Sequence, residues 1–512
     1  MDEALTIARR RLAVLNAIGV RLSRERDPRA LRQAIVEAAM ELTGAEGASL
    51  YEVDPDAGLI RFGIVLNRRL GLRHGVDGAP KAPFRPIPLR LDGADNHSSV
   101  VAHCVLAGET VVIPDAYDAA GYDFSGTRAF DAQTGYRSRS FLTVPMRDHE
   151  QVITGVLQLI NAPGGFDADD TALVESLASQ CATAISQREL IRGMHELFEA
   201  FIRLIANAID GKSKHTGGHC RRVPELTMLL AEAAHRTDRG PLADFRMSDA
   251  DRHELRTAAW LHDCGKITTP EWVVDKATKL SGLGDRIELV AARAAAMLAV
   301  APEGEHAAIR DDLAFLRACN IGGEAMADAD IARVQRIAQR RWRDSDGQER
   351  PWLDAQEIRC LSIRRGTLLD EERAIINHHI IATIEMLEAL PYPRHLRRIP
   401  EYAGAHHERM DGRGYPRGLR REQMSVPARI MAIADIFEAL TAGDRPYKKA
   451  YTLTQALAIL GRMKLDGHID PDLFDVFIAQ GVWRDYADGY LSPAQRTPVD
   501  WSAVPGVISP PS

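Results

Sequence analysis

The chain of 512 residues has six cysteines (Cys104, Cys181, Cys220, Cys264, Cys319 and Cys360), and no two of them form a CxxC pair. That absence argues against a zinc ribbon and against a disulfide framework, and it fits reduced thiols in the cytosol. No apolar run approaches the ~20 residues needed to span a bilayer. The start, Met1-Asp2-Glu3, lacks the basic flank and apolar core of a secretory signal. Positive charge is not in excess either. The net charge is −7, so no global basic field recruits a nucleic-acid polymer, and an anionic substrate must be attracted locally. Hydrophobic content of 45% and charged content of 26% suit an ordinary soluble protein with room for two or three cores.

The first half alternates helical and strand-like patterns. Residues 5–26 read as an amphipathic helix, and a second helix follows Pro28 and ends near Gly44. Strand-like runs then appear at Ala48–Val53, Leu59–Val65, Val111–Ile113, Phe141–Met146 and Gly155–Ile160. Their β-branched content, with Gly, Pro and Asp between runs, predicts an antiparallel sheet flanked by helices. A helix from about Ala168 to Gln187 closes this unit, expected over 1–190. A helical linker over 191–212 carries Ile191, Met194, Phe198, Phe201, Ile205 and Ala208, spaced 3, 4, 3, 4, 3. A dimer seam and packing inside the chain both satisfy that pattern. Beyond Asp210 the pattern is almost wholly helical, over 213–490. The proline-containing tail 491–512 reads as irregular or disordered.

The second half holds polar residues where burial is expected. His262-Asp263 ends the apolar stretch Ala258-Ala259-Trp260-Leu261, and a charge removed from water needs a partner. A metal ion is a common one. His219, His379, His406, His407 and Asp435 supply further nitrogen and carboxylate donors, a set without thiolates that suits iron, manganese or zinc. Neighbouring His406 and His407 point in different directions on a helix, so both serve a cluster only where two ions lie side by side. The Gly-rich turn after them, Glu408 to Pro416, reads as a loop kept for function. Asp435, alone in an apolar helix, needs a metal or a salt bridge.

These segments resemble the HD-GYP domain, the phosphodiesterase branch of the HD superfamily that hydrolyses cyclic di-GMP. The motifs occur in order: TGGHCRRV at 216–223, HDCGK at 262–266, HHERMDGRGYP at 406–416, ADIFEALT at 434–441 and RPY at 445–447. The first half resembles a GAF domain, a sensor or dimerisation module, on its α/β pattern and the stretch Gly135–Leu142. The resemblance implies a GAF-like α/β domain joined by a helix to an all-α HD domain. It makes His219, His262, Asp263, His379, His406, His407 and Asp435 ligands of two divalent ions, iron or manganese. Asp263 bridges them, and His379 is taken rather than His378. Lys266 would contact the scissile phosphate, and Tyr415 and Arg445 the substrate. The implied reaction opens cyclic di-GMP to pGpG, with a further cut to GMP possible. A diguanylate cyclase could dock on the Gly-Tyr-Pro loop, a small ligand could occupy the GAF domain, and the chain would form a homodimer.

Three departures from the family pattern stand out. His215 replaces a glutamate that helps some members hold a third metal. Arg445 lies one residue further from Asp435 than is common. His262 and His379 are 117 positions apart, so 281–365 is an insertion of helical character: a lid, a partner surface or, as favoured here, a passive excursion. The GAF half has Asn161 but only part of the pattern found in cyclic-nucleotide binders, which leaves ligand-free dimerisation and nucleotide sensing both open. The competing functional readings are a non-enzymatic signalling scaffold and a phosphohydrolase for another cyclic dinucleotide.

Overall fold

The computed structural model describes residues 16–20, 25, 27–76, 84–212, 218–323, 325–443 and 450–508. His215 and Arg445 lie outside the described residues, as does most of the helix expected over 5–26, of which 16–20 is helical. The chain divides into two compact units, 1–197 and 198–512.

The first unit is built on a seven-stranded sheet. Helix α1 (Pro28–Thr43) starts where Asp27 accepts from the amides of Arg29 and Ala30, with Pro28 in the first turn, and stops at Gly44 in the left-handed conformation. Strands β1 (Gly47–Asp54), β2 (Leu59–Asn67), β3 (Leu72–His74), β4 (Ile87–Pro88), β5 (Val111–Ile113), β6 (Phe141–Arg147) and β7 (Ile153–Ile160) follow. Their order is β3-β2-β1-β7-β6-β5, with β4 beside β2, and every pair is antiparallel. One face of the sheet packs Leu50, Ile64, Leu142 and Leu157 against α1 and against Val174, Leu177 and Cys181 of a long helix. The other face packs Tyr51, Ile60 and Val156 against Val101 and Cys104. The strand runs expected from the sequence are all present.

The long helix α2 is continuous from Ala168 to Lys212, 45 residues, where two separate helices were expected. No proline or capping sequence interrupts it, so nothing in the local chemistry ends it at Gln187. The heptad-spaced Ile191, Met194, Phe198, Phe201 and Ile205 are 37–62% exposed. Within the second unit the helix is instead buried through Ile202, Ala206 and Ile209. Among the described residues, the second unit's core takes up this other face of the helix and not the heptad-spaced one.

The second unit surrounds one large core. Helix α3 (His219–Arg236) contributes Val223, Leu226 and Leu230 to its buried face. Helix α4 (Asp249–Leu261) begins with a Ser248–Asp251 capping box and ends as His262 is reached. Helices α5 (Asp370–Glu388), α6 (Ile399–Gly404), α7 (Val426–Thr441) and α8 (Val482–Tyr490) complete the frame that carries the polar residues. Residues 492–508 are irregular, one of the two alternatives expected, and they are packed. Leu491 and Val504 are buried, Trp501 lies edge-on to Trp483, and Gln495 donates to the carbonyls of Thr441 and Tyr451.

The 281–365 insertion is not purely helical. It has helices Ile287–Val300, Glu303–Ile321, Asp328–Ala338 and Ala355–Leu361, and between the last two a hairpin pairs Arg341–Arg343 with Glu349–Pro351. It has a core of its own around Val290, Leu316, Val334 and the fully buried Trp352. At its base, buried Lys279 donates to the carbonyls of Leu361 and Ile363, closing the excursion on itself.

Candidate metal centre

The candidate ligands lie within helices or in the turns that follow them, and these segments converge. His219 opens α3, His262 and Asp263 follow α4, His379 lies within α5, and Asp435 lies within α7. His406 and His407 fall in the turn just after α6 rather than on the helix expected. His262, Asp263, His379 and His406 are at most 2% exposed, His219 and Asp435 9%, and His407 is partly buried. His378, the alternative to His379, is exposed.

Two close approaches build this convergence. Gly265 admits the backbone of α5: a Cβ there would meet the carbonyl oxygen of His379 at 2.0 Å and the amide of Thr383 at 2.5 Å. Its own amide donates to Thr383 Oγ1 at 2.9 Å, so the turn after Asp263 is clamped beside His379. Gly414 does the same for the loop 408–416, where a Cβ would strike the amide of Arg409 at 2.3 Å. Buried Glu408 fastens that loop by accepting from the amides of Arg417 at 2.7 Å and Leu419 at 2.8 Å.

The donor atoms form two groups. His219, His262 and Asp263 offer ligand atoms all within 4.8 Å of one another, and so do His379, His406 and His407. Asp263 joins the groups. Its Oδ2 lies 3.2 Å from Nε2 of both His219 and His262, and its Oδ1 lies 3.3 Å from His379 Nε2. Asp435 Oδ1 adds to the first group, 3.4 Å from His219 Nε2 and 3.8 Å from His262 Nε2. His379 and His407 face each other Nε2 to Nε2 at 3.3 Å.

The other ring nitrogens are engaged. Nδ1 of His262, His379 and His406 faces the carbonyl of Ala259, Ile376 and Ala403 respectively, at 2.8, 2.5 and 2.5 Å. Donation from Nδ1 leaves the Nε2 lone pair facing the cluster, the usual support for a metal-bound imidazole. Nε2 of His262, Nε2 of His406 and Oδ1 of Asp263 are buried with no hydrogen-bond partner among the described residues. Such orphaned atoms cost stability unless something else meets them, and a divalent cation fits a set of nitrogen and carboxylate donors. The residues present therefore suit two ions that share Asp263.

Electrostatics divides the histidines: His406 and His407 are held neutral, whereas His219 is held protonated and must give up a proton to ligate. Burial opposes ionisation of Asp263, yet Lys266 and the histidines hold its carboxyl well below the usual range. Burial and repulsion from His262 push His406 down to about 4, and burial with repulsion from His406 and His379 keeps His407 neutral. Burial also disfavours charge on His219, but hydrogen bonds to Asp263 and Glu438 push it up to about 10. Lys266 donates from Nζ to Asp263 Oδ2 and is partly exposed, as is Tyr415, whose ring stacks on His407 at 4.9 Å.

Glu438 escaped the sequence reading. It is fully buried, pairs with His219 Nδ1 at 2.5 Å and accepts from Arg222 Nε at 2.6 Å. Burial raises its pKa, but His219 and Arg222 outweigh that and hold it at about 2. The signal was available: Glu438 follows Asp435 by three in the same apolar helix and poses the same question of compensation.

Residues 27–185 match the GAF domain family, and residues 216–325 and 356–473 match two HD domain families. The chain is 28% identical over 342 residues to 3′3′-cGAMP-specific phosphodiesterase 3 of Vibrio cholerae, covering 64% of this chain and 52% of that protein. It is 36% identical over 327 residues to 3′3′-cGAMP-specific phosphodiesterase 2 of the same organism, covering 63% and 42%. It is 44% identical over 79 residues to a cyclic di-GMP phosphodiesterase of Pseudomonas aeruginosa, covering 15% and 18%. The chain thus spans about half, or less, of the length of these relatives.

Proposed function

We propose that this chain, a GAF domain followed by an HD domain of the HD-GYP kind, is a metal-dependent phosphodiesterase that opens cyclic di-GMP. The observation that carries the reading is the pair of ligand groups joined by one carboxylate, Asp263. The aligned relatives named as cyclic-dinucleotide phosphodiesterases support it.

Two divalent ions, iron or manganese, would supply activation of water and neutralisation of charge on the phosphoryl oxygens. The chain's own residues do the rest. Asp263 spans both groups, His219, His262 and Asp435 would hold one ion, and His379, His406 and His407 would hold the other. Carbonyl-bound Nδ1 atoms fix three of the imidazoles with Nε2 inward. The Lys266 ammonium sits against Asp263, where it would steady negative charge as the transition state forms. Tyr415 offers an aromatic edge to the substrate at the rim. Water oxygen adds to phosphorus, the bond from phosphorus to the ribose 3′ oxygen breaks, and that oxygen takes a proton. The product is the linear dinucleotide pGpG, which a second hydrolysis would convert to GMP.

In this reading Arg445 is a further substrate contact and the exposed heptad seam of α2 is a homodimer contact. The 414–416 loop is where a diguanylate cyclase would dock, and the GAF domain takes a small regulatory ligand. A second reading, 3′3′-cGAMP as the preferred substrate, is favoured by the names of the two relatives with the longer aligned stretches. No helix among the described residues is long and apolar enough to cross a membrane.

The test is Asp263→Ala. It should abolish hydrolysis and lower bound metal while leaving the helical content largely intact. Turnover retained with unchanged metal content would refute the reading.

A further inference from the structure

Beside the first turn of α3 lies a cavity of about 620 Å³ whose lining includes none of the candidate ligands. Arg203, Asn207, Arg221, Arg222, Trp260 and Tyr490 line it. Its volume falls within the ~300–1,000 Å³ of small-molecule sites. Three arginines and one acid, Glu225, line it, a balance that favours negative charge. Arg222 spends Nε on Glu438 and Arg203 lies 3.6 Å from Glu199, while Arg221 is exposed on the first turn of α3. The walls are also aromatic. Tyr490 stacks with Tyr486 at 5.1 Å and 27°, and the indole of Trp260 stands on the adjoining helix.

Planar forks for a phosphate, ring faces for a base and an amide for its edge are the chemistry of a nucleotide site. An acidic peptide would use the arginines but has no need of the two aromatic side chains beside them. We propose that this cavity binds a purine nucleoside monophosphate, at a site separate from the candidate metal centre. The inference does not rest on the hydrolytic reading, since no ligand or substrate contact of that reading lines the cavity. It does carry a consequence for it. Arg222 lines the cavity and donates to Glu438, which pairs with His219, so an occupant lies two side chains from an imidazole of the first ligand group.

The experiment is calorimetric titration of the full, metal-free chain with GMP, with inorganic phosphate as a parallel titrant. One saturable GMP site per chain is expected, with phosphate binding much more weakly. Arg221→Glu should weaken GMP binding about tenfold or more, the loss expected for one hydrogen bond to a charged group. Tyr490→Ala should weaken GMP and leave phosphate unaltered. Asp263→Ala should bind GMP as the parent does, which keeps the result independent of the hydrolytic centre. Circular dichroism of each variant establishes that it is folded. The proposal is overturned by any of four results: no saturable GMP binding, equal affinity for phosphate, no effect of Arg221→Glu in a folded protein, or loss of binding with Asp263→Ala.

Discussion

Replacing Glu438 by glutamine tests how the first ligand group is held together. The carboxylate is fully buried, pairs with His219 Nδ1 at 2.5 Å and accepts from Arg222 Nε at 2.6 Å. Glutamine keeps the shape and one acceptor but removes the charge. His219 then loses the partner that fixes its ring and strengthens its Nε2 as a donor. Loss of such a partner lowers metal affinity about 10–100-fold. Arg222 is left cationic beside a neutral amide. Breaking a buried pair from one side costs ~3–5 kcal/mol. The lower end, about 3 kcal/mol, applies here because the Arg222 side chain retains 18% exposure and an acceptor survives. The sign of the pH dependence follows from Glu438 being held at about 2, below its ordinary 4.5. Its contribution to the metal-free protein is full above about 4.5 and is lost as pH falls toward about 2. The stability gap between parent and variant should therefore be wide at neutral pH and narrow at pH 3. Metal affinity is read by competition with a calibrated chelator, and stability by chemical denaturation. A folded Glu438→Gln protein with parental metal affinity would refute the reasoning.

Lys266→Ala should keep the metals and lower turnover about 10²–10³-fold, the effect of removing one charge-stabilising donor. Metal analysis alongside the kinetics checks it, and loss of metal would make the residue structural. Phe198→Glu with Phe201→Glu should convert a dimer to monomers in sedimentation, because both phenylalanines lie on the exposed seam of α2. An unaltered mass would remove the seam from the interface. His215→Ala should leave two metals per chain and alter activity only modestly, since a neutral imidazole brings no charge to offset a third dication. Three ions in the parent and two in the variant, by elemental analysis, would overturn that expectation.

The strands were legible because each is a short β-branched run between turn residues, and a sheet buried on both faces needs little more than that. The candidate ligands were legible for a different reason. His262-Asp263 and Asp435 are polar residues in apolar segments, and burial demands that something satisfy them. What the sequence concealed depends on contacts between distant segments. The clamp of Gly265 on Thr383 joins residues more than a hundred positions apart, and neither is conspicuous alone. Glu438 is significant only because Arg222 and His219 meet it across the core. The insertion was legible as a largely helical excursion, but the core that Trp352 and Leu316 give it was not. The prolines of the tail pointed to an irregular or disordered end, and Trp501 and Val504 show that a segment without regular structure can still be packed.

The most direct measurement is to load the purified chain anaerobically with iron or manganese, incubate it with a panel of cyclic dinucleotides, and identify the products. The account predicts that cyclic di-GMP is opened to pGpG, that chelation stops the reaction, and that Asp263→Ala is inert. Cyclic dinucleotides recovered intact from a fully metal-loaded protein would contradict it.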